Sequence, residues 1–152
     1  MKEKMLFIFC FGFLSLFSQK TIVEVDAAVQ RIKGNLDSFV KTEKINTDST
    51  RKTFYFDKEE LRLIAVEEKM NISKQVEWYF LNDALLYTET RWLNPGGDRL
   101  LFSEKTYHHN GRLIAWLNSE NTFVDSNSPG FKKMDTDLFS YSRKIKDGAE
   151  ED

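Results

Sequence analysis

The chain has 152 residues, which is enough for one domain of ordinary size. Its net charge of −2, with one cysteine and two histidines, gives no basic excess for nucleic acid and excludes a disulfide framework or a cysteine-rich zinc site. Apolar residues make up 41% of the chain and aromatic residues 14%, which suffices for a packed core and argues against a wholly disordered chain.

The N-terminus has the pattern of an export signal. Lys2 and Lys4 form a charged leader, and the apolar run at 5–17 follows it. A run of thirteen residues is shorter than the roughly 20 residues of a transmembrane helix and is typical of a signal-peptide core. We therefore predict a signal peptide over 1–18, a periplasmic or secreted protein, and no integral membrane span after cleavage.

Two alternatives to ordinary export remain for this segment: an uncleaved anchor, and lipidation at Cys10. Lipidation fits poorly, because a lipoprotein signal needs a small residue directly before the cysteine, and Phe9 stands there. Once the leader is cleaved the mature chain has no thiol. It must then be stable through its core alone, although exported proteins often rely on disulfides.

Residues 21–43 have the spacing of an amphipathic helix. Thr21 and Glu24 fit a capping box at its start, whereas Gly34 is unfavourable in a helix interior. The apolar residues recur every three or four positions and therefore share one face: Ile22, Val25, Val29, Ile32, Leu36 and Phe39. We predict that this helix packs on the core; a helix that lies on a membrane or binds a partner is the alternative.

The chain from 53 to 117 alternates in the manner of β-strands. After a polar connection at 45–51, three pairs of aromatic and branched segments are each joined by a short polar turn: 53–57 with 61–66, 76–81 with 85–92, and 100–108 with 112–117. Asn110-Gly111 is the strongest of the three hairpin signals, because both residues accept positive φ angles.

The three pairs look like one hairpin repeated. In each of them a tyrosine stands six residues before a leucine, and these tyrosines are Tyr55, Tyr79 and Tyr107. Repetition at nearly even spacing predicts an antiparallel meander of about six strands. Three unrelated hairpins could also share this pattern, because the same residue types favour strands and turns. Repetition of one motif and convergence both stay open.

The C-terminal part reads as a loop followed by a short helix. Residues 118–134 are polar, and Asp135 can cap a helix with an apolar edge at Leu138, Tyr141 and Ile145. Residues 148–152 are predicted to be a frayed acidic tail. The fold class is therefore α+β: an N-terminal amphipathic helix, a twisted antiparallel meander of about six strands, and a short C-terminal helix, all in one domain over 19–147.

The signal peptide, the helix and the tyrosine-led hairpins, together with the segment YHHNGRLIAWL at 107–117, resemble a group of small secreted proteins of uncharacterised role from Bacteroidetes-type bacteria. The resemblance covers roughly 22–120. The chain departs from the group's pattern at 58–60 and 82–84, where the turns lack the usual glycine. The resemblance implies export and this fold, and it brings no catalytic residue.

The sequence contains no local motif for nucleophilic, phosphate-binding or zinc-dependent catalysis. His108 and His109 are neighbours on a predicted strand, so their side chains point to opposite faces and cannot easily share a metal. We predict no metal and no cofactor, and a histidine pair exposed to water beside the turn. Some carboxylates could in principle serve acid/base chemistry, but they suit solvated edges equally well: Glu59-Glu60, Glu67-Glu68, and Asp135 with Asp137.

The strands contain more aromatic residues than are expected for a sheet with one face exposed to solvent. A sheet with one wet face should alternate cleanly between apolar and polar residues, and the first two hairpins do not. Either the two helices cover one face and loop 118–134 part of the other, or an exposed aromatic patch binds a partner or a sugar ring. The candidate binding residues are Trp78, Phe80, Trp92 and Trp116.

Three functions remain open for this chain. The first is a non-enzymatic envelope protein that binds an unknown protein or glycan through its sheet. The second is an inhibitor of a hydrolase that inserts a loop, 94–98 or 126–130, into an active site. The third and least favoured is a small hydrolase with a dispersed site. The oligomeric state also stays open, since a sheet edge could pair with another copy but no particular residue indicates it.

Overall fold

The computed structural model describes residues 21–45, 49–69 and 71–150, without the side chains of 148–150. The predicted signal peptide at 1–18 lies outside the described residues. Within them, seven strands form one antiparallel sheet in which each strand pairs with its neighbour in sequence. One helix precedes the sheet and one follows it, so the fold class is α+β.

The elements follow one another with short connections. Helix α1 spans 21–34, and a 3-10 turn follows at Leu36–Ser38. Helix α2 spans Pro129–Glu150. The strands are β1 (Val40–Ile45), β2 (Thr50–Asp57), β3 (Glu60–Glu68), β4 (Ser73–Leu81), β5 (Ala84–Leu93), β6 (Leu100–His109) and β7 (Arg112–Leu117).

The prediction of one helix over 21–43 is wrong in its second half. The helix ends at Gly34, because glycine has the weakest helix propensity of the residues in this segment. Asn35 then closes it, because its side-chain amide donates to the Arg31 carbonyl at 2.7 Å. The chain turns and enters β1 at Val40, which is why the sheet has seven strands and not about six.

The three predicted hairpins are confirmed as β2–β3, β4–β5 and β6–β7. Their turns use left-handed backbone even where glycine is missing: Asn82 and Asp83 have φ angles of 49° and 62°, beside 51° for Asn110 and 75° for Gly111. Asparagine and aspartate adopt this conformation more readily than other non-glycine residues. The second turn therefore closes the chain as the third does, whereas in the first turn Lys58, with a φ angle of 60°, is left-handed and Glu59 is not.

The hairpins also share an irregularity. The strand register shifts directly after the tyrosine in each of them, between Tyr55 and Phe56, between Tyr79 and Phe80, and between Tyr107 and His108. A bulge is a local feature that is retained for its geometry. Its recurrence at one position in all three hairpins favours a repeated motif over convergence.

Helix α2 is longer than the predicted C-terminal helix and begins within the predicted loop 118–134. Pro129 is its first residue, a position where the missing N–H costs nothing and the fixed φ angle suits the helix. Ser128 caps it, since its Oγ accepts from the Phe131 N–H at 3.2 Å. Helical backbone continues to Glu150, through most of the predicted tail; 151–152 lie outside the described residues.

The two helices pack on opposite faces of the sheet. On the α1 face, the helix buries its apolar stripe against the tyrosine-rich side: Val25, Val29, Ile32, Leu63, Tyr79, Tyr87 and Tyr107. On the α2 face, Ile145 packs with the phenylalanine-rich side: Phe54, Ile64, Val66, Trp78 and Phe80. The expectation that both helices cover one face is therefore wrong. Both faces of the strands are apolar because each has a helix to cover it.

Both helices lie at the end of the sheet that carries the hairpin turns. On the α2 face, Lys146 Nζ meets Asp83 Oδ1 at 2.7 Å in the second turn, and the Phe139 ring lies against Gly111 in the third. The opposite end, with the loops at 71–72, 94–99 and 118–122, is called the open end below. Large apolar side chains are exposed there: Ile45, Ile72, Leu100, Leu101, Phe102 and Phe123.

Candidate binding surface

Two of the four aromatic candidates lie in the core. Trp78 is 5% exposed and Phe80 2%. The ring of Tyr141, on α2, lies over Trp78 with ring centroids 5.1 Å apart. Neither Trp78 nor Phe80 can touch a partner in this structure unless α2 moves away.

Trp92 lies beyond the reach of α2, at the open end. It faces Phe102 across β5 and β6, and the two rings stack with centroids 4.5 Å apart and planes 26° apart. Phe102 is 40% exposed and its neighbour Leu101 is 45% exposed. The stacked pair thus offers an apolar surface to solvent, and sequence reasoning missed Phe102 as its second member.

Trp116 and Glu104 extend this surface. Trp116 faces Thr106 across β6 and β7, and its indole Nε1 is buried without a hydrogen-bond partner among the described residues. Glu104 stands between Phe102 and Thr106 on β6 with the same side-chain direction. We call Trp92, Phe102, Glu104 and Trp116 the aromatic patch.

Glu104 is the charged group of the aromatic patch, and sequence reasoning did not single it out. Burial raises the pKa of its carboxyl above the ordinary value. None of the cations in the described part of the chain pairs with it. A half-buried carboxylate beside aromatic rings attracts a positive or hydrogen-donating group from outside.

The α1 face carries a second cluster of polar groups, in which two carboxylates are paired with cations. Glu77 and Glu89 lie opposite each other on β4 and β5. Lys33 Nζ, from the end of α1, bridges them at 3.6 and 3.5 Å. Arg91 Nη2 donates to Glu77 Oε1 at 2.6 Å, and the Tyr79 hydroxyl donates to Glu77 Oε2 at 2.7 Å. This network connects α1 to the sheet and pairs both Glu77 and Glu89.

The tyrosines under α1 are neutral donors. Tyr79, Tyr87 and Tyr107 form a chain of rings with centroids 5.7 and 5.2 Å apart. Burial is the main cause that raises the pKa of all three hydroxyls, and nearby carboxylates add to it; the pKa of Tyr107 rises to about 12. The cluster is thus suited to packing and hydrogen bonding, not to acid/base chemistry near neutral pH.

The histidines do not form the exposed pair that the sequence predicted. His108 is 1% exposed, while His109, on the other side of the strand, is exposed. The His108 Nε2 shares a hydrogen bond with Thr106 Oγ1 at 2.9 Å, and Thr106 shares another with Thr88 at 2.5 Å. Burial lowers the pKa of His108 to about 4, although Asp135 and the Gly111 carbonyl oppose the shift.

Asp135 and Asp137 each have a separate cationic partner and do not face each other as an acid/base pair. Asp135 is bound by the Leu113 N–H at 2.9 Å and by the Arg112 guanidinium. A cleft between α2 and the last two turns is lined by Asp83 and Asp147, but Asp83 is exposed and paired with Lys146. Across 21–45, 49–69 and 71–150, no group of three or more histidine, cysteine or acidic side chains could hold a metal ion.

No family model matches this chain, and no curated protein or solved structure matches it. No helix within the described ranges is long and apolar enough to cross a membrane. The resemblance to secreted proteins of Bacteroidetes type therefore stays a prediction.

Proposed function

We propose that this protein is an exported, non-enzymatic interaction module of the cell envelope that holds a protein partner on the aromatic patch. The observation that carries the proposal is the stacked pair of Trp92 and Phe102 beside Glu104, at the end of the sheet away from both helices. Exposed aromatic groups of this kind are enriched in binding hot spots. The signal-peptide pattern of 1–18 supports the location.

The chemistry of the aromatic patch defines the partner. Apolar contact with Trp92 and Phe102 excludes water, and Glu104 then faces the incoming group in a half-buried setting. A lysine or arginine satisfies both features, because a cation is attracted to an aromatic face as well as to a carboxylate. The partner therefore presents a basic side chain next to an apolar one.

Photo-crosslinking tests this proposal within exporting cells. A photoreactive phenylalanine analogue replaces Phe102 in the full chain, and in a control it replaces Phe139, which is 41% exposed against 40% for Phe102. We expect one protein crosslinked from position 102 and absent from 139, with a lower yield in the Glu104→Gln background. A crosslink to glycan alone, equal products from both positions, or none would overturn the proposal.

A second candidate, a hydrolase inhibitor, is favoured by the rigidity of the loop at 94–99. Asn94 Oδ1 accepts from the N–H groups of Asp98 and Arg99 at 3.2 and 3.1 Å, and the Asn94 N–H donates to the Arg99 carbonyl at 3.0 Å. A preordered loop loses little entropy on binding. Titration of envelope hydrolases with the protein and with its Asn94→Ala variant tests this function; inhibition should weaken in the variant.

A further inference from the structure

Strand β1 forms one edge of the sheet. Within the ranges that the structure describes, it pairs with β2 alone, and the β1–β2 register runs without a shift over Val40–Ile45. Val40 is 62% exposed and Ile45 71%. The outer side of β1 therefore presents a straight row of backbone N–H and C=O groups, which is a template for another strand.

The other edge of the sheet is covered by the chain itself. The Leu113 N–H donates to Asp135 Oδ1 at 2.9 Å, and the Val124 N–H donates to the Trp116 carbonyl at 2.9 Å. Leu117 and Phe123 form an antiparallel bridge. Strand β7 is thus protected along most of its length, and β1 is the edge left for an added strand.

The geometry of antiparallel pairing restricts how β1 can meet a second copy of itself. Along β1, alternate residues point their backbone groups outward, and antiparallel pairing matches outward residues with outward residues. The numbers of two paired residues in a symmetric dimer must therefore have the same parity. This rule forbids the full-length pairing of Val40 with Ile45 and leaves two registers that pair five residues, centred on Thr42 or on Glu43.

Charge chooses between these two registers. Centring on Glu43 places the two Glu43 carboxylates opposite each other, which is destabilising. Centring on Thr42 places Lys41 of each copy opposite Glu43 of the other. In the monomer these two side chains already form an ion pair at 2.6 Å on the same side of the strand, so the dimer adds two cross-strand pairs of opposite charge.

We propose that two copies of this chain join edge to edge along β1, antiparallel and centred on Thr42, to form one continuous sheet. The partner at this edge is a second copy of the chain, because in this register Lys41 of each copy faces Glu43 of the other. A two-fold axis through Thr42 gives the closed interface usual for homodimers. The aromatic patch takes no part in this interface, so the inference does not depend on the proposed function.

A charge-reversal series tests the register. Sedimentation velocity of the full chain over the micromolar to near-millimolar range should show a monomer–dimer equilibrium. Lys41→Glu should weaken the dimer at least about tenfold, since it turns both cross-strand pairs repulsive, and Lys41→Glu with Glu43→Lys should restore it. Lys132→Glu, the same charge change on exposed α2, should leave it unchanged. A monomer throughout, or a dimer indifferent to Lys41→Glu, overturns the proposal.

A disulfide provides an independent measure of the register. In a Cys10→Ser background, Thr42→Cys places two thiols opposite each other at a Cα separation of roughly 4.5–5.5 Å, which a disulfide can bridge. Mild oxidation should link this variant into covalent dimers. Ser126→Cys, on an exposed loop, should remain mostly monomeric. Equal linkage of both variants, or none at position 42, contradicts the register.

Discussion

His108 lies in the third hairpin at the position that Phe80 holds in the second. Each directly follows the tyrosine at which the strand register shifts, and both side chains are buried, at 1% and 2% exposure. The repeat thus places an imidazole where the core otherwise has a phenyl ring. Burial keeps this ring neutral at neutral pH, because it lowers the pKa of the imidazole.

We expect His108 to make the fold sensitive to acid. Burial lowers its folded-state pKa to about 4 from 6.5, so the unfolded chain binds the proton first as the pH falls. Stability is then fully present above about pH 6.5 and is lost progressively down to about pH 4, by about 3 kcal/mol in all. Urea unfolding across this range should show the loss.

The His108→Phe variant is the matched control, because the repeat already has phenylalanine at this position. It should unfold with a flatter pH dependence and should equal or exceed the wild type at pH 5. Parallel stability curves for the two proteins would show that His108 is not the acid-sensitive group.

Tryptophan substitutions should separate the core from the aromatic patch. Trp78→Ala removes a buried ring under Tyr141 and should lower the free energy of unfolding by about 3–5 kcal/mol. Trp92→Ala removes a half-buried ring that stacks on Phe102 and should cost below about 2 kcal/mol. Urea denaturation of both variants measures the difference; equal losses would mean that the open end is packed like the core.

The hairpins could be predicted from sequence because their signals are local. Alternation and turn residues lie within a few positions of one another, and the six strands of the three hairpins stand where the sequence placed them. The boundaries of the helices could not be predicted, because each depends on a single residue that is compatible with two local structures. Gly34 could interrupt or end a helix, and it ends α1; Pro129 could mark a loop or a first helical turn, and it begins α2.

The candidate site was predictable only in part, because exposure is a tertiary property. Trp78 and Trp92 stand at similar positions in an aromatic strand pattern, yet α2 covers the first and not the second. The residue that faces Trp92 across the strands is set by a register shift between Trp92 and Leu93. No sequence pattern near these residues predicts that shift. Glu104 could not be distinguished by sequence from the other carboxylates on the strands, because its aromatic neighbours and its lack of a counter-ion are properties of the tertiary structure.

Asp135 should hold α2 against β7. Its carboxylate accepts from the Leu113 N–H at 2.9 Å and pairs with Arg112. Burial alone would raise the pKa of Asp135, but these two groups lower it below its ordinary value. Asp135→Ala leaves the Leu113 N–H unpaired and should destabilise the fold by about 1–3 kcal/mol.

The neighbouring carboxylate is the control for this prediction. Asp137 is exposed and pairs only with Lys133 on the same helix, so Asp137→Ala should change the free energy of unfolding by less than about 0.5 kcal/mol. Thermal unfolding of both variants at neutral pH provides the comparison. A loss at Asp137 as large as that at Asp135 would count against a tether between α2 and β7.

Two glycines should respond to the same substitution with opposite signs. Gly111 has a φ of 75° in the third turn, and a side chain there is strained whatever the space around it, so Gly111→Ala should cost about 1 kcal/mol or more. Gly34 is helical, and an added Cβ would meet no atom within 4 Å. Gly34→Ala should therefore raise the free energy of unfolding by up to about 1 kcal/mol. Denaturant unfolding of the two variants measures both effects, and a loss of stability at Gly34 would mean that the end of α1 needs a residue without a side chain.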